Sequence, residues 1–317
     1  MPAIGFIGLG IMGEGMSARL LSGNVAGSTE SPLFVWNRTT SKCDELKSRF
    51  ADKEVKICES AREVVEKSDI VFSMLSTPEA SKAVFEGPDG TLAGLTKGKY
   101  IIDCATLAES DMKRMYELVE EKGGLFLEAP VSGSKGPAHT GQLIFLCAGS
   151  KTIHDDATVQ SALAAMGKAT HFFGDIGNGT RAKLVVNSLM GSMMAAFSES
   201  LVLAQSVGLD GSKMLEVIGQ GAIQSPMYAL KGPKMLKGDH DPNFPLQHAH
   251  KDMKLAVDMA KATGVSYGVT EQAEKLFREV REDKELNVAE DDFSAVFEGI
   301  HKASSSEFSK KRKAGSD

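Results

Sequence analysis

Over the first 174 residues, apolar positions cluster into short runs separated by amphipathic stretches. Ala3–Ile7, Pro32–Trp36, Ile70–Leu75, Tyr100–Cys104, Gly124–Glu128 and Leu143–Ala148 read as buried strands. Ala61–Lys67 and Ala108–Lys122 lie between them and carry helical spacing. Strands alternating with helices predict an α/β fold with a doubly wound parallel sheet. From Gly179 the pattern changes. Arg181–Val207 is long, free of proline and rich in Ala, Leu, Met and Ser at helical spacing. Lys213–Ile218, Phe244–Thr263 and Thr270–Asp283 also read as helices, and no strand signal follows Phe173. Three parts are expected: a sheet domain over 1–174, an all-helical domain over 175–302, and a flexible Ser- and Lys-rich tail over 303–317.

The first strand runs into Gly8-x-Gly10-x-x-Gly13, followed by a helix-like stretch through Met16, Leu20 and Leu21. Gly8 permits a sharp turn, Gly10 lets a pyrophosphate approach bare backbone, and Gly13 lets the helix pack on the strand. The N–H groups at a helix start then face the phosphates. Strand, turn and helix together point to dinucleotide binding. NAD-binding chains usually end the second strand with an acid that accepts hydrogen bonds from ribose hydroxyls. Here it ends in Asn37-Arg38-Thr39. No acid repels a 2′-phosphate, and a guanidinium can pair with it, so NADPH is the expected cofactor. The polar stretch Gly23–Ser31 reads as a surface insertion before that strand.

Composition narrows the field. A chain of 317 residues can hold two domains with ordinary cores. Hydrophobic residues at 42% and charged ones at 25% suit a soluble globular protein. A net charge of −6 offers no broad basic surface to nucleic acid. Cys43, Cys58, Cys104 and Cys147 are widely spaced, as expected of reduced thiols. No apolar run reaches transmembrane length, and the first strand starts too early for a leader, so a cytoplasmic enzyme is expected. Among the histidines, His248 and His250 lack the Cys or carboxylate cluster that a metal site needs. Lys310-Lys311-Arg312-Lys313 reads as a solvated terminus.

Four segments in order resemble the β-hydroxyacid dehydrogenase family, related to 3-hydroxyisobutyrate dehydrogenase, over about residues 3–300. They are the glycine turn through Met16; Glu128-Ala129-Pro130-Val131-Ser132-Gly133-Ser134 with Gly141; Gly177-Asn178-Gly179-Thr180-Arg181-Ala182-Lys183 with Asn187; and Phe244-Pro245-Leu246 with Lys251-Asp252-Met253-Lys254-Leu255-Ala256. The resemblance implies an N-terminal Rossmann-type domain and a helical C-terminal domain. Within the family, Val35–Leu46, Pro130–Lys135 and Gly191–Leu203 look most like the plant-type glyoxylate/succinic semialdehyde reductases.

That likeness implies NADPH-dependent reduction of small acidic aldehydes: glyoxylate to glycolate, succinic semialdehyde to 4-hydroxybutyrate. Lys183 would be the general acid, and Asn187, four residues on and on the same helix face, would bond the substrate oxygen. Ser132 and Gly133 would hold the substrate carboxylate, with Thr106 and Phe244 beside the substrate. Asp252 would orient Lys183 and keep it cationic. Cofactor contacts would come from Gly8, Leu9, Gly10, Ile11, Met12, Gly13, Asn37, Arg38, Thr39, Leu75, Thr106 and Lys251. The family's usual serine before the threonine is here Ala105. Arg181, on another face, reads as solvated. Alternatives are 3-hydroxyisobutyrate or tartronate semialdehyde chemistry, and a non-catalytic chromatin-associated factor on the same fold. Members of that last group lack the lysine. The apolar long helix suggests a homo-oligomer, with no metal, nucleic acid or membrane as partner.

Overall fold

A computed structural model describes residues 2–304. The chain divides into two compact units between Leu184 and Val185. Among the described residues, unit 1 holds nine strands: β1 (Ile4–Ile7), β2 (Leu33–Trp36), β3 (Val55–Ile57), β4 (Ile70–Ser73), β5 (Tyr100–Asp103), β6 (Leu125–Glu128), β7 (Val131–Ser132), β8 (Leu143–Gly149) and β9 (Gly167–Phe172). Their order is β3-β2-β1-β4-β5-β6-β8-β7, with β9 paired to β8. Strands β1 to β6 are mutually parallel, and β8 runs antiparallel to β6 and β7.

The helices of unit 1 are α1 (Gly13–Ser22), α2 (Ser41–Arg49), α3 (Ala61–Lys67), α4 (Pro78–Glu86), α5 (Thr91–Gly94), α6 (Glu109–Glu121), α7 (Lys135–Thr140), α8 (Lys151–His154) and α9 (Ala157–Met166). They cover both faces of the sheet, so its central strands are apolar on both sides. Ile4, Phe6, Phe72, Ile102 and Leu127 enter one core, while Ile7, Val71, Ile101 and Phe126 enter the other. This is the alternation that a strand's period of two imposes.

Register aligns the strand ends. Trp36 pairs with Ile7, Ile7 with Ser73, Ser73 with Asp103, and Asp103 with Glu128. These five residues form one row along the carboxyl edge of the sheet. The segments that follow them carry Gly8, Asn37, Leu75, Thr106 and, in β7, Ser132. The order reverses between β1 and β4, the switch point where open α/β sheets bind ligands.

The long helix α10 (Asn178–Ser206) contains the division between the units. Unit 2 continues with α11 (Gly211–Gln220), α12 (Pro226–Met235), α13 (Leu246–Thr263) and α14 (Gly268–Glu282), then a 3-10 turn at Phe293–Ala295 and a helix over 296–304. Its core gathers Met194, Leu201, Leu246, Met253, Phe277 and Val296. Methionines Met190 and Met194 are packing residues of this cluster. A Cβ at Gly191 would strike the Met253 side chain, so this glycine lets α10 and α13 approach.

Several details depart from the sequence reading. β3 and β7 are too short to carry a pattern, and β9 (Gly-Lys-Ala-Thr-His-Phe) has no apolar run. α12 is masked by Pro226 at its start and Pro233 inside it. The unit division falls ten residues beyond the sequence-based boundary at 174/175, because the first turn of α10 is bonded into unit 1. Residues 303 and 304 are helical, and the rest of the expected tail lies outside the described residues. By length and composition α10 is apolar enough to cross a bilayer, contrary to the reading that no such run exists; half of its most apolar window is buried in the protein.

Candidate functional site

The glycine turn is built as its spacing demands. Gly8 has φ +93° and donates its N–H to Trp36 O at 2.9 Å. A Cβ at Gly13 would collide with Gly8 O. At Gly10 a Cβ would meet nothing within 4 Å. Packing therefore does not require glycine at that position, and the open space over exposed backbone suits an approaching phosphate. Among the described residues, nothing accepts from the N–H groups of Ile11 and Met12 ahead of α1. These features fit a dinucleotide pyrophosphate.

Leu9 has its side chain in the core, and its N–H is donated to Asn37 Oδ1 at 2.9 Å. Asn37 Nδ2 in turn donates to Thr39 O at 2.9 Å. Asn37 thus ties the end of β2 to the glycine turn, and both residues shape the cofactor loop from behind. Arg38 and Thr39 are exposed just past that strand. The Leu75 side chain lies beside Gly8, 3.0 Å from where a Cβ would stand.

At the end of β5, Asp103 is wholly buried. Its Oδ2 accepts from Ser73 Oγ at 2.5 Å and its Oδ1 from Ala105 N at 3.0 Å. Burial pushes its carboxyl up to about 6, against those two hydrogen bonds. This bracket sets the turn that presents half-buried Thr106. Ala105 is buried, and the bond it brings to this turn is made by its backbone N–H rather than by a side chain. The four thiols are all buried; burial pushes Cys147 up to about 12, which leaves it inert as a nucleophile.

The end of β6 leads through Ala129-Pro130 to half-buried Ser132 and exposed Gly133, whose φ is +126°. The carboxylate of Glu128 is buried and turned to the start of α10. Its Oε1 accepts from Gly177 N at 2.6 Å and Gly179 N at 3.0 Å. Its Oε2 accepts from Thr180 N at 3.2 Å and Thr180 Oγ1 at 2.6 Å. Burial raises this carboxyl, and the four bonds oppose the rise. Lys183 follows one turn later and is buried at 6% exposure. Arg181, read from sequence as solvated, is exposed, and there it holds Glu109 through Nε at 2.7 Å and Nη2 at 2.6 Å.

In unit 2, Asn187 Nδ2 donates to Asp252 Oδ2 at 2.6 Å. Lys251 Nζ lies 3.3 Å from Asp252 Oδ1, close enough for an ion pair but without hydrogen-bond geometry. Asn187, Lys251 and Asp252 thus form one cluster on facing turns of α10 and α13. Nearby His250 Nε2 bonds Glu274 at 2.9 Å, and burial lowers its proton affinity. Phe244 precedes α13, with its ring edge-on to Phe293 at 5.8 Å. Its loop is fixed by Asp292, which accepts from Asn243 N at 3.1 Å, Phe244 N at 3.3 Å and the buried Lys231 Nζ at 2.7 Å. Among the described residues no cluster of three or more His, Cys, Asp or Glu could hold a metal. Sequence reading missed Asp103, Lys231 and Asp292, and it gave Glu128 no role. An acid closing an apolar strand is the trace that Asp103 and Glu128 leave; the pair of Lys231 and Asp292, 61 residues apart, leaves none.

Comparison with known proteins agrees with this construction. Residues 3–175 match the profile described as the NAD binding domain of 6-phosphogluconate dehydrogenase. Residues 177–299 match that described as NAD-binding of NADP-dependent 3-hydroxyisobutyrate dehydrogenase. Glyoxylate/succinic semialdehyde reductase 2, chloroplastic, of Arabidopsis thaliana is 42% identical over 96% of this chain and 81% of its own. Reductase 1 of the same plant is 42% identical over 94% and 98%. The human cytokine-like nuclear factor N-PAC is 34% identical over 93% of this chain, which spans half of that protein. A solved 3-hydroxyisobutyrate dehydrogenase from Mycobacterium tuberculosis superposes with a TM-score of 0.78 at 26% identity, covering 95% and 99% of the two chains. With a dinucleotide turn at one end, a matching helical partner domain at the other and both profiles in sequence, the chain belongs to the 3-hydroxyisobutyrate dehydrogenase-related β-hydroxyacid dehydrogenase family and is an NAD(P)-dependent oxidoreductase.

Proposed function

We propose that the protein is a cytoplasmic, NADPH-dependent reductase of small acidic aldehydes, with glyoxylate and succinic semialdehyde as substrates. The observation that carries this reading is Lys183, a buried lysine one turn into α10, in a chain that is 42% identical over nearly its whole length to two reductases named for those substrates. Bound in the glycine turn, NADPH supplies the hydride. Arg38 pairs with its 2′-phosphate, and no acid at the end of β2 opposes that phosphate. Ser132 Oγ and the Gly133 N–H hold the substrate carboxylate. As the carbonyl carbon gains hydride, its oxygen gains negative charge. The Lys183 ammonium stabilises that charge and gives the oxygen a proton, and solvent then reprotonates the amine. Asp252 fixes Asn187, whose amide belongs beside the same oxygen. The exposed Leu203, Val217, Ile223 and Leu230 of unit 2 support self-association, which light scattering tests.

The test is a steady-state panel of small aldehydes with NADPH and NADH, run on wild type and Lys183→Ala. Proton transfer contributes roughly 10² to 10⁴-fold, so kcat of the variant should fall at least about 10²-fold with NADPH still bound. Near wild-type turnover by a folded Lys183→Ala protein refutes the mechanism. Preference for methylmalonate or tartronate semialdehyde would favour the 3-hydroxyisobutyrate or tartronate alternative. No turnover of any semialdehyde would favour a non-catalytic role, for which the likeness to N-PAC is the supporting observation.

A further inference from the structure

The proposed proton donor rides on a helix whose start is only partly satisfied locally, by Asn178 N donating to Asp175 O at 3.1 Å. A helix leaves its first N–H groups unsatisfied unless a cap supplies an acceptor. The Asn178 side chain is turned to other partners. Its Nδ2 donates to Phe173 O at 2.9 Å and its Oδ1 accepts from Arg181 Nη1 at 2.8 Å. The acceptors come from Glu128, 49 to 52 residues earlier in the chain. All four of its partners donate, two to each oxygen, so the carboxylate is saturated in its ionised form. The positive end of the helix is an electrostatic counterpart for it.

The geometry points further than capping. Thr180, Lys183 and Asn187 stand three and seven residues apart and therefore share one stripe of α10. Glu128 grips the bottom of that stripe twice, through the backbone and the hydroxyl of Thr180. Gly179 admits the carboxylate, because a Cβ there would stand 3.2 Å from Glu128 Cδ and against Leu146 O. Four residues past Glu128, the same strand end delivers Ser132. Residue 128 is thus a common reference for the strand end that bears the carboxylate-binding serine and for the helix that bears the acid.

We propose that Glu128 is a positioning residue for Lys183: by clamping the first turn of α10 to the end of β6, it sets the rotation and height of the lysine relative to the Ser132 loop. This rests on Lys183 being the proton donor proposed above. The role differs from that of Arg181, which ties the outer face of the same turn to α6 through an exposed ion pair with Glu109.

The experiment uses the full chain with NADPH and glyoxylate, well below each variant's unfolding temperature. Glu128→Gln keeps the shape but replaces an acceptor with an amide that faces two donors. A misplacement of about 1 Å costs about 10²-fold in rate, so a partial release should lower kcat about tenfold or more. KM for NADPH and its fluorescence titration should stay within about twofold by the same argument. Thr180→Val, which removes one of the four bonds, should lower kcat about threefold, and Thr180→Ser should restore it. Arg181→Ala should lower the unfolding temperature and leave kcat unchanged. If Glu128→Gln does not fold, Thr180→Val against Thr180→Ser decides. The proposal is overturned if folded Glu128→Gln keeps wild-type kcat, if Thr180→Val does so, or if Arg181→Ala loses kcat in the same proportion to lost stability. An inactive Lys183→Ala beside an active Glu128→Gln overturns only this inference. An active Lys183→Ala overturns the lysine mechanism and with it the role given to Glu128.

Discussion

In unit 1, Glu128 and Asp103 sit side by side in the register row at the end of β6 and β5, both buried, and peptide N–H groups and hydroxyls hold them. In unit 2, Asp292 is equally buried, yet it holds Lys231 at 2.7 Å, and that ammonium also lies 5.3 Å over the Phe293 ring. Both arrangements fix a loop that the proposed chemistry uses. They differ in what can be taken away. Peptide dipoles leave only if the helix or turn moves, so the anchors of unit 1 fail by displacement. The anchor of unit 2 adds a side-chain cation to its peptide donors, and removing that cation strands a charge in the core.

The largest effect should come from breaking the pair in unit 2. Lys231→Met leaves Asp292 buried and uncompensated, which should cost about 3–5 kcal/mol of stability in a denaturant titration. Adding Asp292→Leu should recover only part of that loss, because Asn243, Phe244 and Ser294 would lose their acceptor. A loss below about 1 kcal/mol for the single variant would mean that the two units do not differ in this way.

The next effect is a pH dependence in unit 1. Asp103 is raised from 3.8 to about 6 in the folded protein. The folded state therefore keeps its proton while the unfolded chain loses its own. Its contribution is most favourable below pH about 4 and is lost as pH rises toward about 6. Two pK units correspond to about 3 kcal/mol. Asp103→Asn keeps an acceptor for Ala105 N and should remove this slope between pH 4 and 6. If wild type and variant show the same pH dependence of unfolding, burial does not raise the Asp103 carboxyl.

The smallest effect concerns the cation that unit 1 keeps on its surface. Arg38→Asp should weaken NADPH by about 1–3 kcal/mol while NADH holds or improves. Stability should change by less than about 0.5 kcal/mol, in contrast to Lys231. Equal weakening of both cofactors would remove Arg38 from cofactor choice.

The parts legible in the sequence are those whose cause is local. The spacing Gly8-x-Gly10-x-x-Gly13 is dictated by a collision and a positive φ within a few residues, and α3 lies where its helical spacing places it. Lys183 and Asn187 share a helix, so their common face follows from a difference of four. Short strands such as β3 hold too few residues to show a period, and Pro233 hides α12 although Ser225 caps it and Pro226 suits its first turn. The clamp of Glu128 on α10 and the pair of Lys231 with Asp292 join residues about fifty to sixty apart. Nothing in either local stretch names its partner, so an acid or a lysine there looks like any other.

The bond from Leu9 N to Asn37 Oδ1 bears on redesign. An engineer seeking to switch the nucleotide would turn first to position 37, where an acid would serve the ribose of NADH. That position already carries a bond that holds the phosphate turn in shape. Aspartate keeps an oxygen for Leu9, but it gives up the amide that reaches Thr39 O; glutamate or alanine would slacken the turn for either nucleotide. A library built on positions 38 and 39 leaves that brace intact, and one that randomises 37 would confound weaker binding with altered selectivity.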